Sequence, residues 1–220
     1  MNGDTSDVQR SARLGARSRS DLRRAHGRAR CAWCGDDPLY VAYHDEEWGV
    51  PERDDRALFE KLVLDGFQAG LSWITILRKR EAFRRRFDGF RPDVLARWGE
   101  REIAAALADP GIVRHRGKIE SAVRNARAWL ALAERGERFA EVCWAVTGGR
   151  PQRNHWRRLA EVPTRSAESE RLARTLRAAG FTFVGPTTCY AFMQAVGIVD
   201  DHLVGCFRHS ADSQARRSAG

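Results

Sequence analysis

Apolar residues recur with the spacing of a helix face in four segments of this chain. The first segment follows Asp54, a suitable N-cap, and the third and fourth end at Gly180 and Gly197, which suit helix C-termini. The four stripes are Leu58, Phe59, Leu62 and Val63; Ile119, Ala122, Val123, Ala126, Trp129 and Leu130; Leu172, Leu176 and Ala179; and Cys189, Phe192, Met193 and Val196. Shorter helices are predicted over 92–98, 100–108 and 139–146. No stretch alternates apolar and polar residues long enough to predict a sheet, so the predicted class is all-α.

Composition places one domain between two basic tails. The 220 residues carry a formal net charge of +9, and no apolar run approaches the roughly 18 residues of a membrane span. We predict a folded domain over 30–207, with disordered tails at 1–29 and 208–220. An Arg-rich arm would help to hold DNA, but Arg outnumbers Lys throughout the chain, so coding bias explains the same composition. Five cysteines without a secretory signal favour a reducing, cytoplasmic location without disulfides.

Two Cys/His pairs far apart in the chain match the ligand set of a closed zinc site. Cys31 and His44 lie near the start of the predicted domain, and His202 and Cys206 lie near its end with helical spacing. Two Cys and two His are typical of structural, tetrahedral zinc, which here would join the N- and C-terminal segments. Pairs this widely spaced also occur without a metal, and Cys34 is a competing ligand.

Aromatic residues are unusually dense near the first of these pairs. The rings belong to Trp33, Tyr40, Tyr43, Trp48 and, further along, Trp73. Rings at this density can hold a planar ligand such as a nucleobase, since stacking contributes about 1–3 kcal/mol per base. Packing of a small helical core explains the same density and is the commoner arrangement.

A glycine-containing turn over 180–188 connects the third and fourth predicted helices. Pro186 suits the first turn of the following helix, and the backbone N–H groups around Gly185 and Thr187 would then be available to a phosphate. A helix–hairpin–helix grips the DNA backbone in this way. An ordinary tight connection between helices explains the segment equally well.

Several segments together closely resemble the DNA-3-methyladenine glycosylase I family, bacterial alkylation-repair enzymes of the helix–hairpin–helix superfamily. They are CAW (31–33), DPLYVAYHD (37–45), EWGVP (47–51), QAGLSWIT (68–75), GIVRHRGKI (111–119) and DHLVGC (201–206). They occur in one order from about residue 30 to residue 206, and both tails lie outside the resemblance.

The resemblance implies a function and a set of site residues. It implies a monomeric, monofunctional glycosylase that flips 3-methyladenine out of alkylated double-stranded DNA, hydrolyses its N-glycosidic bond and releases the free base. The family's structural zinc ligands fall on Cys31, His44, His202 and Cys206. Its base pocket falls on Tyr43, Trp48 and Trp73, with Trp33 and Tyr40 nearby. Its catalytic pocket carboxylate, normally Glu, falls on Asp65, which is one methylene shorter and so reaches less far.

Other readings of the same residues remain open. No lysine stands out as a Schiff-base former, so strand cleavage is not expected. Asp200 or Asp201 lies where other superfamily members place a catalytic Asp, although Asp201 beside His202 suits a partner of a metal ligand. A zinc-dependent hydrolase would need an open coordination position, and a non-enzymatic DNA-binding module would leave the rings and the carboxylate unexplained.

Overall fold

A computed structural model describes residues 22–25 and 27–209, and this part of the chain is mostly helical. Its α-helices are α1 (Pro38–Ala42), α2 (Asp55–Gln68), α3 (Trp73–Arg86), α4 (Pro92–Leu95), α5 (Glu100–Ala108), α6 (Arg116–Glu134), α7 (Phe139–Trp144), α8 (Ala167–Ala178) and α9 (Pro186–Ala195). The described part includes no helix that is both long enough and apolar enough to cross a membrane.

The helix α2 lies at the centre of the core. Asp54 caps it by accepting a 2.8 Å hydrogen bond from the backbone N–H of Ala57, as the sequence predicts. Its apolar stripe is buried, and the helix contacts α3, α6, α7 and α9. Because α2 is covered on several sides, even polar residues of its last two turns are removed from solvent. Asp65 is one of them, with 4% of its surface exposed.

The predicted helices are present, with differences at their ends. The stripes at 119–130, 172–179 and 189–196 lie on α6, α8 and α9, and glycines in the left-handed region follow α8 and α9. The helix predicted over 92–98 is shortened to α4, and α7 passes into a 3₁₀ turn, Ala145–Thr147. The helix α3 was not predicted, because its few buried positions are interrupted by a run of basic residues.

Two small strand pairs were also not predicted. In the N-terminal hairpin, β1 (Leu22–Ala25) pairs antiparallel with β2 (Arg28–Cys31), and β3 (Gln152–Arg153) pairs parallel with β4 (Val199–Asp200). These strands are two to four residues long, which is too short to show an alternating pattern. The class is therefore mostly helical with two minor ladders.

Ordered structure extends beyond both predicted domain boundaries. The N-terminal hairpin lies within residues 1–29, for which disorder was predicted, and its described residues are fixed at several points. Leu22 packs near Cys206, the backbone carbonyl of Ala29 accepts from the N–H of Phe207, and Arg30 forms a 2.7 Å ion pair with Asp45. At the other end His209 is buried, although disorder was predicted from residue 208. Residues 1–21 and 210–220 lie outside the described part.

The turn after α9 packs unusually closely against the segment 49–51. Gly197 has φ of +69°, and a Cβ atom there would lie 2.5 Å from the backbone nitrogen of Pro51. A side chain at this position would therefore force the two segments apart. The N-terminal third of the fold and the C-terminal helix are held together at this contact.

Candidate functional site

The chain leaves α1 through one turn of π-helix, Tyr43–Glu47, which places consecutive residues in two different sites. The Asp37 carboxylate caps α1 by accepting from the backbone N–H of Leu39 at 3.0 Å. Tyr43 and His44 are both buried, and the wide turn directs Tyr43 toward a cavity and His44 toward a group of cysteines.

The cavity has a volume of about 420 Å³ and is called here the ring-lined cavity. All five rings singled out from the sequence line it, together with the predicted carboxylate: Trp33, Tyr40, Tyr43, Trp48, Trp73 and Asp65. The structure thus brings together side chains from α1, α2, α3 and the turns between them. A cavity of this size is within the range that small-molecule sites occupy.

The rings hold one another in place by edge-to-face and tilted contacts. The centroid of the Trp33 ring lies 4.9 Å from that of Trp48 and 5.1 Å from that of Tyr40, with interplanar angles of 65° and 62°. The ring centroids of Tyr43 and Trp73 lie 5.4 Å apart, and the two ring planes are inclined at 44°. Such contacts are favourable for aromatic pairs and order the walls before any ligand enters. Burial raises the pKa of Tyr43 well above its ordinary value, so its hydroxyl remains protonated.

Asp65 is paired with a lysine that the sequence reading missed. Lys61 lies one helical turn earlier on α2, and its Nζ is 2.5 Å from Asp65 Oδ1 and 3.5 Å from the centroid of the Trp73 ring. Burial raises the pKa of Asp65 and lowers that of Lys61, whereas the attraction between them opposes both shifts. The second oxygen, Oδ2, is buried and has no hydrogen-bond partner among the described residues. One oxygen of the Asp65 carboxylate is therefore bound by Lys61, and the other can still accept a hydrogen bond.

Asp201 has a different role from the one expected for it. Each carboxylate oxygen accepts two hydrogen bonds, Oδ1 from Asn154 and Trp156 and Oδ2 from Tyr190 and Gln194, at 2.6–2.8 Å. The expected bond to the neighbouring His202 is not what the structure shows, because the ring Nε2 of His202 instead faces the carbonyl oxygen of Trp48 at 3.1 Å. Asp201 joins the β3 region to α9 and also lines the ring-lined cavity.

The two predicted Cys/His pairs meet on the side of Trp48 away from the cavity. The four ligand atoms of the Cys/His cluster lie within 4.8 Å of one another, and all four residues, Cys31, His44, His202 and Cys206, are buried. Cys206 Sγ lies 3.5 Å from His44 Nε2 and 3.7 Å from His202 Nδ1, and Cys31 Sγ lies 3.8 Å from His202 Nδ1. In a tetrahedral zinc site, bonds of about 2.3 Å to sulfur and 2.0–2.1 Å to nitrogen place the sulfur and nitrogen atoms about 3.6 Å apart. The observed sulfur–nitrogen distances therefore fit a Zn²⁺ ion.

The surroundings of the Cys/His cluster also suit a cation. His44 directs Nδ1 at Asp45 Oδ1, 2.8 Å away, which leaves Nε2 facing the cluster. Asp45, rather than Asp201, is therefore the carboxylate that orients a histidine of the Cys/His cluster. A hydrogen bond between the two thiols raises the pKa of Cys31 and lowers that of Cys206, and hydrogen bonds from His202 and His44 lower the pKa of Cys206 further.

Cys34 does not join the Cys/His cluster. Its Sγ faces the carbonyl oxygen of Cys31 at 3.2 Å, and burial raises its pKa to about 11. It is consequently a buried, protonated thiol, and the competition that the C-x-x-C spacing suggested does not occur in this geometry.

The sequence of residues 33–209 matches the family model described as methyladenine glycosylase. This match covers more than half of the chain. The chain belongs to the methyladenine glycosylase family.

Individual members of the methyladenine glycosylase family are similar over most of their length. The DNA-3-methyladenine glycosylase 1 of Escherichia coli K12 is 49% identical over 177 residues, which cover 80% of this chain and 95% of that protein. A crystal structure of a 3-methyladenine DNA glycosylase I superposes with a TM-score of 0.81 at 52% identity, covering 82% of this chain and 99% of the other. A Staphylococcus aureus structure described as showing the basis of 3-methyladenine recognition gives 0.78 at 36%, covering 80% and 94%.

In this member of the family the turn between α8 and α9 is anchored from α6. Asn125 accepts a 2.8 Å bond from the backbone N–H of Thr182 and donates to its carbonyl oxygen at 3.1 Å. The next residue, Phe183, has φ of +57° and is 41% exposed at the tip of the turn. Gly185 precedes the first residue of α9, and Thr187 is exposed at the mouth of the ring-lined cavity. The helix start and the cavity thus open on neighbouring surfaces.

Proposed function

We propose that this chain hydrolyses the N-glycosidic bond between 3-methyladenine and deoxyribose in double-stranded DNA and releases the free base. The observation that carries the proposal is the ring-lined cavity with a buried carboxylate, found in a member of the methyladenine glycosylase family. The relatives described above are 3-methyladenine DNA glycosylases. The reaction would be the first step of base-excision repair.

The cavity is suited to a cationic purine. Methylation at N3 gives adenine a positive charge while the glycosidic bond is intact. The π faces of aromatic side chains attract such a charge, by about 2 kcal/mol where the pair is desolvated. Tyr43, Trp48 and Trp73 would hold the base plane, with Trp33 and Tyr40 behind them. Asp65 would accept a hydrogen bond from the exocyclic amino group, which distinguishes adenine from guanine.

The shorter reach of Asp65 is compensated by its unpartnered oxygen. Oδ2 is buried and has no hydrogen-bond partner in the described part of the chain, so an amino group entering the cavity would satisfy it. A buried acceptor left without a partner costs about 1–3 kcal/mol, and binding of the base would recover that cost. We therefore assign Asp65 to recognition and charge stabilisation in place of the longer glutamate usual in the family.

Little acid–base chemistry is required of the protein. The electron pair of the glycosidic bond leaves with the base, which departs as a neutral molecule, and water adds to the sugar carbon. Tyr43, held protonated by burial, would keep its ring against the base in a closed pocket. Extrusion of the nucleotide from the duplex costs a few kcal/mol of stacking, which the ring contacts offset.

The segment from α8 to α9 would bind the DNA backbone as a helix–hairpin–helix. The backbone N–H groups at Gly185 and Thr187 lie at the start of α9, where the helix dipole favours a phosphate. The exposed Phe183 at the turn would then face the duplex. These contacts position the DNA without reading its sequence, so that the cavity alone selects the base.

The Cys/His cluster would hold a structural Zn²⁺. Its two thiols, two imidazoles and near-tetrahedral spacing fit this ion, and Cys31, His44, His202 and Cys206 would be its ligands. When bound, the ion supplies a cross-link between the N-terminal hairpin and the segment after β4. Four protein ligands leave no position for a water molecule, which argues against a zinc-dependent hydrolase.

Assay of alkylated DNA tests the function directly. Purified protein is incubated with DNA treated with a methylating agent, and the bases set free are separated by chromatography. Release of 3-methyladenine with intact strands is the expected result. We expect the protein to act as a monomer in the cytoplasm. A non-enzymatic DNA-binding module would release nothing. Strand cleavage would show a lyase activity and overturn the monofunctional assignment.

A further inference from the structure

Lys61 lies where the substrate base would bind. Its Nζ bonds Asp65 Oδ1 at 2.5 Å and stands 3.5 Å from the centre of the Trp73 ring. These are two of the contacts that the base itself is proposed to make: the carboxylate that accepts its amino group and the ring face on which it stacks. Only 15% of the Lys61 side chain is exposed, so this ammonium is part of the cavity wall.

From this overlap we infer that Lys61 is an internal competitor of the base: it must leave the face of Trp73 before a purine can stack there, and its charge competes with that of the base for the Asp65 carboxylate. A planar ring stacked on an aromatic face lies about 3.5 Å from it, which is the space that Nζ occupies. Both groups are cations, so the two compete for the same negative partners. The inference rests on the proposed function, since it concerns the same cavity.

The structure offers a place to which Lys61 can move. A second cavity of about 250 Å³ lies behind Tyr43 and Trp73, and the Lys61 side chain lines this cavity as well as the first. Glu47 and Glu60 line the second cavity, where Arg80 and Arg84 already bind them at 2.5–2.9 Å. A lysine rotating about its side-chain bonds would therefore remain near carboxylates instead of entering an apolar region.

Competition between Lys61 and the base for Asp65 and Trp73 favours entry of a cationic base and departure of a neutral product. While the glycosidic bond is intact, the methylated base carries a positive charge and can replace Lys61 at Asp65. Once the bond breaks, the electron pair goes to the base and its charge is lost. Lys61 keeps its charge and regains the advantage at Asp65 and Trp73. The lysine thus weakens retention of the product, 3-methyladenine.

The test replaces the ammonium with a neutral chain of similar length. Lys61→Met should bind free 3-methyladenine about three- to thirtyfold more tightly by isothermal titration, the range spanned by one cation–π contact at partly buried sites. The constant for inhibition of base excision by added 3-methyladenine should fall by the same factor. Lys61→Gln, which keeps a donor for Asp65 without the charge, is measured in parallel and should change in the same direction.

Lys79→Met is the matched control. Lys79 binds the carbonyl oxygens of Pro110 and Gly111 and does not line the cavity, so its loss should leave the affinity unchanged. Unchanged or weaker binding in both Lys61 variants, with a parent protein that does bind 3-methyladenine, would overturn the competitor role. A parent that binds no 3-methyladenine and releases none from DNA would instead overturn the proposed function, and this inference with it.

Discussion

Substitution of single cysteines in and near the Cys/His cluster tests which of them binds zinc. Cys206→Ala removes one of four groups whose sulfur–nitrogen separations of 3.5–3.8 Å match the edges of a zinc tetrahedron. Structural zinc contributes about 10–16 kcal/mol of binding free energy, which in such a site is also folding free energy. Whole domains are stable by only about 5–15 kcal/mol. Loss of the Cys206 thiol should therefore lower the free energy of unfolding of the whole domain.

The size of the effect can be bounded. If Cys206→Ala loses even 3 kcal/mol of unfolding free energy, its melting temperature should fall by roughly 6–12 °C, at about 2–4 °C per kcal/mol in a domain of this size. Elemental analysis should find substoichiometric zinc. Chelation of the parent protein should lower its melting temperature in the same way, and added zinc should restore it.

Cys34→Ala is the matched control, because Cys34 is equally buried and only three residues from a ligand. Its thiol bonds only backbone carbonyls among the contacts of the described residues, so the cost should be about 1 kcal/mol with zinc fully retained. A zinc-free Cys34→Ala protein beside a fully loaded Cys206→Ala protein would refute the ligand assignment.

Three further predictions concern the ring-lined cavity. Asp65→Asn should weaken binding of free 3-methyladenine roughly ten- to a hundredfold, because hydrogen bonds to a charged group contribute about 1.5–3 kcal/mol; Asp65→Glu should keep or raise the affinity. Trp73→Ala should cost a similar amount through lost stacking. Isothermal titration measures both, and if only Trp73→Ala weakens binding, the rings alone select the base and Asp65 is structural. Purified protein should release 3-methyladenine from methylated DNA and largely spare 7-methylguanine, as measured by chromatography; comparable release of both would indicate a broad-specificity enzyme.

Much of the site could be predicted because its residues come in short, chemically distinctive segments. The Cys/His pairs and the rings were identified from their types, and the structure brings them together. The assignment of α2 followed from one apolar stripe and its cap. These features depend mainly on local spacing, which the sequence displays.

Features that depend on packing between distant segments were missed. Lys61 and Asp65 are four residues apart on a helix, a spacing usually found in exposed ion pairs, but here the pair is enclosed by other elements, among them Trp73 on α3. Asp201 was paired with its neighbour in sequence, whereas its partners come from the distant segment at 154–156 and from α9. The N-terminal hairpin is stabilised by contacts near Cys206, which no local composition reveals.

The end-to-end closure of the Cys/His cluster also has a consequence for biosynthesis. Cys31 and His202 are separated by 171 positions, so the first residue of the cluster emerges from the ribosome long before His202. At about 5–20 residues per second, roughly ten to thirty seconds separate the two events. Trp48, which packs against His202 at 4.6 Å and lines the ring-lined cavity, lacks this support during that interval. A nascent or prematurely terminated chain would carry the rings without a finished pocket, so the ring-lined cavity can be completed only after translation has passed Cys206.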